Sequence, residues 1–165
     1  MFGCVLKYRG PVPKIARRER NKIQKEGFEY ALTYWHGKFR EKHFTHAGAT
    51  EYKYLPRSGE RGHGRKFKGS YNQQKLRKFG HTRPLEFSGE SRQLTRTLKI
   101  KATSKSGRCI LNARKFNFRN PKSKIDMRDE MTRVSDPERT VLAEEFQDYI
   151  SGRFNRIMAS ETVNI

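Results

Sequence analysis

Acidic residues are scarce in the middle of this 165-residue sequence. Between residues 52 and 123 the chain carries twenty lysines and arginines but only three acids, Glu60, Glu86 and Glu90. The first 51 residues have eleven basic and five acidic side chains, and the last 42 residues have six basic and nine acidic ones. The net charges of the first, middle and last parts are therefore +6, +17 and −3. Because like charges at this density repel one another, part of the middle must face an anionic partner, either nucleic acid or an acidic protein surface.

Cysteines and long apolar runs are also scarce. The two cysteines, Cys4 and Cys109, are too few for a disulfide framework and predict reduced thiols in a protein made in the cytoplasm. No stretch approaches the roughly 20 apolar residues of a transmembrane helix, and the N-terminus has no apolar signal-peptide region. We therefore expect a chain that is made in the cytoplasm and does not enter a membrane.

The apolar content is low but it is rich in aromatic residues. Only 33% of the residues are hydrophobic and the mean hydropathy is −1.00, which predicts a small core. Eleven phenylalanines, seven tyrosines and one tryptophan nevertheless argue against simple disorder, since disordered chains are poor in aromatics. We expect a single domain over residues 1–165 that carries a long charged excursion and gains its final order inside an assembly.

The N-terminal part predicts a short strand followed by a long helix. Residues 1–8 are apolar and partly β-prone, and two prolines follow them. Over residues 13–43 the apolar positions recur at three- and four-residue steps, which indicates one buried helix face. Gly27 and Gly37 leave two alternatives open, one bent helix or a break near either glycine.

The C-terminal part predicts a β-hairpin and a capped helix. Alternating apolar and polar residues over 98–103, turn residues at 104–107 and a returning segment at 108–114 indicate the hairpin, with a third strand at 130–134. Ser135 and Glu138 form the pattern of a capping box, so an amphipathic helix should cover about 136–158. The predicted fold class is α+β, with a long N-terminal helix and this capped helix on one face of a small antiparallel sheet.

The segment over residues 44–83 shows no sustained period and predicts a long, extended basic arm, with two helical turns at 72–79. Its cations alternate with aromatic rings, a pattern that suits phosphates and stacked bases as well as acidic protein surfaces. Eleven side chains are the candidate partner or nucleic-acid contacts: Tyr52, Tyr54, Arg57, Arg61, Arg65, Lys66, Lys68, Tyr71, Lys75, Arg77 and Lys78.

No catalytic, metal or cofactor site is predicted. His43 and His46 lack the thiolates or carboxylates that usually complete a zinc site. The acidic run at 126–130 could serve a nuclease, but it lacks an apolar strand and a following lysine. The glycines at 59–64 are not followed by the Lys-Ser/Thr of a phosphate-binding loop. The sequence therefore predicts a non-enzymatic protein without cofactors.

Three segments carry a resemblance. KHFTHAGATEYKYLPRSGE (42–60), KFGHTRPLEFSGESRQLTR (78–96) and DMRDEMTRVSDPE (126–138) resemble small proteins encoded among the head and tail structural genes of tailed phages and prophages. Within the second segment, PLEFSG (84–89) is similar to the P-L-x-x-S/T-G entry to the sheet of neck and tail-completion proteins. The order of the predicted elements also suits that group.

The resemblance implies a non-enzymatic structural virion protein of the phage head–tail connector. Such proteins assemble as rings, and the basic arm at 44–83 would dock the subunit on its neighbours. The expected partners are further copies of the chain and neighbouring portal, adaptor or tail proteins, with contact to packaged DNA. The implied location is the head–tail junction of the virion, after synthesis in the host cytoplasm. The charge and the aromatic residues leave a second interpretation of the function open, namely a basic nucleic-acid-binding protein that is ribosome-associated or packages DNA.

Overall fold

The computed structural model describes residues 5–7, 16–60, 68–112, 114–116 and 124–162. The chain divides into two compact units whose ranges interleave along the sequence. Unit 1 comprises Met1–Phe39, Leu98–Leu111 and Val134–Ile165, and unit 2 comprises Arg40–Thr97 and Asn112–Arg133. The single domain that the length predicts stays a prediction, and each unit is described by itself.

Unit 1 contains an antiparallel three-stranded sheet in the order β1-β3-β2. Its strands are β1 (Val5–Lys7), β2 (Leu98–Ala102) and β3 (Ser106–Leu111). The register pairs Ile100 with Cys109 and Leu98 with Leu111, so most apolar residues of the hairpin share one face, while Ile110 lies with the lysines on the other. The predicted hairpin is therefore confirmed, because local alternation fixes which face is buried.

Two long helices complete unit 1, namely α1 (Arg17–Lys38) and the C-terminal helix described below. Helix α1 passes through Gly27 and ends one residue after Gly37, so the break lies at the second glycine. Its buried side chains form a core cluster with those of the C-terminal helix: Ile23, Phe28, Ala31, Phe146, Ile150 and Phe154. The sheet approaches α1 closely at Gly107, where a Cβ would lie 2.8 Å from Leu32 Cδ1.

The C-terminal helix begins with the predicted capping box. The Glu138 backbone N–H donates to Ser135 Oγ at 3.4 Å, and the Ser135 backbone N–H donates to the Glu138 carboxylate at 3.2 Å. Without these two bonds, both backbone N–H groups would lack a hydrogen-bond acceptor at the start of the helix. The helix spans Asp136–Thr162, slightly longer than predicted, and the α+β fold class is confirmed.

Unit 2 contains four short α-helices among its described residues. They are α2 (His46–Glu51), α3 (Tyr71–Phe79), α4 (Glu90–Leu94) and α5 (Met127–Met131), and the C-terminal helix of unit 1 is accordingly α6. Short 3-10 turns cover Arg40–Phe44 and Arg114–Phe116.

Two predictions about unit 2 are wrong for the described residues. The extended arm at 44–83 is instead folded over 44–60 and 68–83, because Phe44 and Tyr52 are buried and Ser70 caps α3 by accepting from the Gln73 N–H. The helical turns predicted at 72–79 are confirmed by α3. The third strand predicted at 130–134 is α5 and the residues that follow it, because the Asp126 side chain caps that helix.

Candidate partner-binding surface

Tyr52 and Tyr54 lie around a buried histidine. The ring of His43 stacks on that of Tyr52 with centroids 4.0 Å apart, and its Nδ1 shares a hydrogen bond with the Tyr54 hydroxyl. Tyr52 and His43 are both buried. Tyr52 therefore lies in the interior of unit 2, and Tyr54 is half-buried beside it.

Arg57 forms a buried ion pair with Glu130. The Glu130 side chain is 1% exposed, and its carboxylate accepts from Arg57 Nη1 at 2.9 Å, from Arg57 Nη2, and from the Leu55 N–H at 3.0 Å. The Arg57 side chain is 10% exposed. Arg57 thus holds the loop after α2 onto α5, and its charge is satisfied inside the protein.

Lys75 is also buried, although it was predicted as a surface contact. Its Nζ donates to the Arg83 carbonyl oxygen and lies 5.2 Å from the centroid of the Tyr71 ring. Burial, with the nearby Arg57 charge, lowers the pKa of Lys75 to about 8. The buried Lys75 ammonium thus packs on the face of the Tyr71 ring.

Four of the predicted contacts remain on the surface. Lys68, Tyr71, Arg77 and Lys78 are exposed, the last three on α3. Arg61, Arg65 and Lys66 lie outside the described residues. The exposed cations make no ion pair within the described parts of the chain, so their charge is available to a partner. All eleven residues stay predictions as contacts, but the structure reduces the set that a partner can reach.

Tyr71 belongs to a row of aromatic rings that the sequence did not predict. The Phe87 ring stacks on Tyr71 at 5.6 Å and meets Phe79 edge-on at 4.9 Å, and Phe79 in turn lies 6.3 Å from the His81 ring. Phe87 is 39% exposed and Tyr71 is similar. Because large apolar rings rarely stay uncovered together on a monomer, this row indicates a site of contact.

A cavity of about 410 Å³ opens beside these rings. Apolar and aromatic side chains form most of its wall, and Lys115 and Glu90 form an ion pair of 3.0 Å within it. The lining residues are Tyr71, Leu85, Phe87, Ser88, Glu90, Ser91, Lys115 and Met127. The volume lies in the lower part of the range of about 300–1,000 Å³ that is usual for binding pockets.

The cavity wall is held in a costly backbone conformation at Leu85. This residue has φ = 53°, in the left-handed region that side chains other than glycine rarely adopt. Ser91 Oγ donates to the Leu85 carbonyl oxygen at 2.8 Å, and the neighbouring Glu86 carboxylate accepts two bonds from Arg83 at 2.9 Å. Hydrogen bonds on both sides therefore fix the wall of the cavity before any partner arrives.

No pattern in the sequence signals the cavity. Its walls come from α3, from 85–91, from Lys115 and from Met127, which are far apart in the chain. Single-sequence periodicity reports only on neighbours within a helix or strand, so it could not bring these residues together.

The acidic run considered for a nuclease has structural partners. Asp126 caps α5, Asp129 pairs with Arg133 at 2.6 Å, and Glu130 pairs with Arg57. Among the described residues, no group of three or more histidines, cysteines and carboxylates is placed to hold a metal ion.

The buried histidine gives the fold a pH dependence. Burial lowers the pKa of His43 from 6.5 to about 3. As the pH falls below about 6.5, His43 becomes protonated in the unfolded chain but stays neutral in the folded chain. The free energy of unfolding therefore falls steadily until about pH 3. The expected loss is about 1.4 kcal/mol per pH unit, or about 2 kcal/mol between pH 6.5 and pH 5.

The variant His43→Gln should remove that part of the pH dependence. Urea unfolding at pH 7 and pH 5 should show a smaller difference in the free energy of unfolding than in the unchanged protein, by about 2 kcal/mol. His46→Gln, at an exposed position three residues away, is the matched control and should leave the difference as it was. Equal pH dependence in both variants would contradict a neutral, buried His43.

Comparison with known proteins finds no relative of this chain. No protein-family model, no curated protein and no solved structure matches the chain. Within the part of the chain that the structure describes, every helix is too short or too polar to cross a membrane.

Proposed function

We propose that this chain is a non-enzymatic structural protein of the phage head–tail connector, of the neck or tail-completion type, that assembles as a ring. It joins neighbouring portal, adaptor or tail proteins at the head–tail junction of the virion, after synthesis in the host cytoplasm. The observation that carries the proposal is the architecture of unit 1, in which α1 lies against a small antiparallel sheet and packs along α6. That layout is the one that the sequence resemblance implies.

The manner of docking differs from that of an extended arm. The basic middle of the chain is folded around His43 and the Arg57–Glu130 pair, and it presents exposed cations beside a preformed aromatic cavity. A preformed surface binds without the conformational entropy that ordering an arm would cost. The net charge of +17 in this part of the sequence suits acidic faces of neighbouring proteins, or the DNA that passes through a connector.

Co-sedimentation with particles tests the proposal. Particles purified from producing cells are treated with nuclease in high salt, and the bound copies of this chain are counted by quantitative mass spectrometry. We expect the chain to stay with the particles at a fixed number of copies, in the range of a small ring. Release with the nuclease-sensitive material, or a copy number that varies with the preparation, would contradict a connector subunit.

The exposed Tyr71 and Phe87 rings favour one second candidate, a basic nucleic-acid-binding protein. Rings of this kind stack on bases while nearby lysines neutralise phosphates, so binding to single strands should weaken steeply with salt. Phe87→Ala should then reduce oligonucleotide affinity by about 1–3 kcal/mol, while Phe39→Ala, in unit 1, should not. An affinity that is insensitive to Phe87 and to salt would exclude this candidate.

A further inference from the structure

Unit 1 carries an exposed acidic surface around two stacked tyrosines. The ring of Tyr30 is 41% exposed and stacks on Tyr149 at 5.0 Å, and the Tyr30 hydroxyl donates to the Glu145 carboxylate at 3.1 Å. We name this the acidic patch; it consists of Glu26, Glu29, Tyr30, Glu145, Asp148 and Tyr149.

The acidic patch keeps a negative charge after its ion pairs are counted. Lys25 lies 3.7 Å from Glu29, and Arg153 lies 3.2 Å from Glu26. Glu145 and Asp148 form no ion pair within the described ranges, and Glu145 accepts its hydrogen bond from a neutral tyrosine. In a chain with a net charge of +20, a surface of this sign is unusual.

The carboxylates of the acidic patch raise the pKa values of both tyrosines. The hydrogen bond to Glu145, together with the Glu145 charge, raises the pKa of Tyr30, and burial followed by the Glu26 charge raises that of Tyr149. Both directions agree with the geometry, in which several carboxylates lie near two phenol rings.

The cavity of unit 2 has the opposite character. Its exposed wall is formed by Tyr71 and Phe87, and Lys115 lines it. The exposed Lys78 lies 5.5 Å from the centroid of the Phe79 ring, which contacts Phe87. Lys115 pairs with Glu90, which also lines the cavity, so the two charges offset each other, whereas Lys78 forms no ion pair among the described residues.

We infer that the acidic patch of one copy docks on the aromatic cavity of the next copy. Tyr30 is the anchor that meets the Tyr71 and Phe87 rings, and Glu145 and Asp148 face Lys78. Tyrosine is one of the residues that most often anchor protein interfaces. Complementary charge also sets the orientation of the two copies.

The two surfaces are different, so the contact is head-to-tail. A head-to-tail contact that repeats with a fixed rotation closes into a ring, whereas two identical surfaces would stop at a dimer. The inference rests on the proposed function, because it supplies the contact by which a ring of this chain forms. Its test uses the purified chain alone, so it can fail while the chain still stays with particles.

Two variants separate the surfaces. The patch variant combines Tyr30→Ala with Glu145→Ala, and the cavity variant combines Phe87→Ala with Lys78→Ala. Glu144→Ala, the exposed acid next to Glu145 on α6, and Lys105→Ala, in the hairpin turn, are the matched controls. All chains are treated with nuclease, and their folding is compared by circular dichroism and thermal unfolding.

Self-association is measured by sedimentation velocity over a range of concentrations and salt. We expect the unchanged chain and both controls to associate alike, and each two-residue variant to associate about tenfold more weakly or worse. A mixture of the two variants should form a 1:1 pair and nothing larger. In that pair, the intact cavity of the patch variant binds the intact patch of the cavity variant.

Three results would overturn the head-to-tail contact. The unchanged chain could stay monomeric at every concentration, one variant could associate normally, or the folded variants could fail to pair when mixed. Stable binding of oligonucleotide or of another virion protein in the cavity, without self-association, would equally overturn it. A variant that does not fold is replaced by its charge change alone, Glu145→Ala or Lys78→Ala, in the same mixing experiment.

Discussion

Replacing Arg57 by methionine should lower the free energy of unfolding by about 3–5 kcal/mol, because it leaves a buried carboxylate without its counter-charge. Glu130 is 1% exposed, and two of the three hydrogen bonds that it accepts come from the Arg57 guanidinium. Methionine fills much of the same space but donates nothing. The loop from Tyr54 to Arg57 and helix α5 should loosen together.

Stability is measured by urea unfolding, with circular dichroism as the signal. Hydrogen exchange of the Leu55 amide serves as the local probe, because this amide donates to Glu130. Arg139→Met is the matched control, because Arg139 pairs with Asp136 on the surface of α6 at 3.0 Å. Exposed pairs contribute about 1 kcal/mol or less. If both variants lost the same stability, the Arg57–Glu130 pair would not hold unit 2 together.

A double variant sharpens the result. Arg57→Met combined with Glu130→Met removes both charges, and replacing a buried pair by apolar side chains is often close to neutral. The double variant should therefore be more stable than Arg57→Met alone. A double variant that is worse than the single one would show that the apolar side chains do not pack at this position.

Replacing Gly48 by alanine should destabilise the protein by about 1–3 kcal/mol or more, although alanine is the better helix former. A Cβ at this position of α2 would lie 2.0 Å from the Lys42 carbonyl oxygen, a backbone atom. That oxygen is held in place because it accepts from the Thr45 N–H at 3.0 Å and from Thr45 Oγ1 at 2.8 Å. Relief of the clash must therefore disturb the cap of α2.

Gly152→Ala is the matched control for the same change inside a helix. Gly152 lies in α6, and a Cβ there would meet no atom within 4 Å. The control should gain up to about 1 kcal/mol, because alanine loses less backbone entropy than glycine. Thermal and urea unfolding of the two variants should thus shift in opposite directions. A stabilised Gly48→Ala would contradict the tight packing of α2 against the preceding turn.

The elements that the sequence predicted well are those whose cause is local. The capping box sets the start of α6 through residues only three apart, and the alternation over 98–102 sets the inward face of β2. The apolar stripe of α1 is likewise carried by residues within one helix. Each of these signals can be read without knowing what the element packs against.

The elements that were predicted wrongly depend on distant residues. Glu130 reads as part of a polar strand until Arg57, 73 positions earlier, is placed against it. The basic segment reads as an arm because no period shows that Tyr52 covers His43 or that Lys75 donates to the Arg83 carbonyl. The candidate surface was predicted as a region rich in cations and rings. Phe87 and Lys115 were missed because they reach it through tertiary structure.

The interleaving of the two units sets an order of events during synthesis. Helix α1 leaves the ribosome early, but Phe146, which packs on Phe28 with ring centroids 4.6 Å apart, is made 118 residues later. At about 5–20 residues per second, Phe28 waits about 6–24 s for this partner. Unit 2 is complete at Arg133, before any residue of α6 is made. The part of the α1 stripe that packs on α6 therefore lacks its partner throughout this interval, when a chaperone would have its best opportunity to bind.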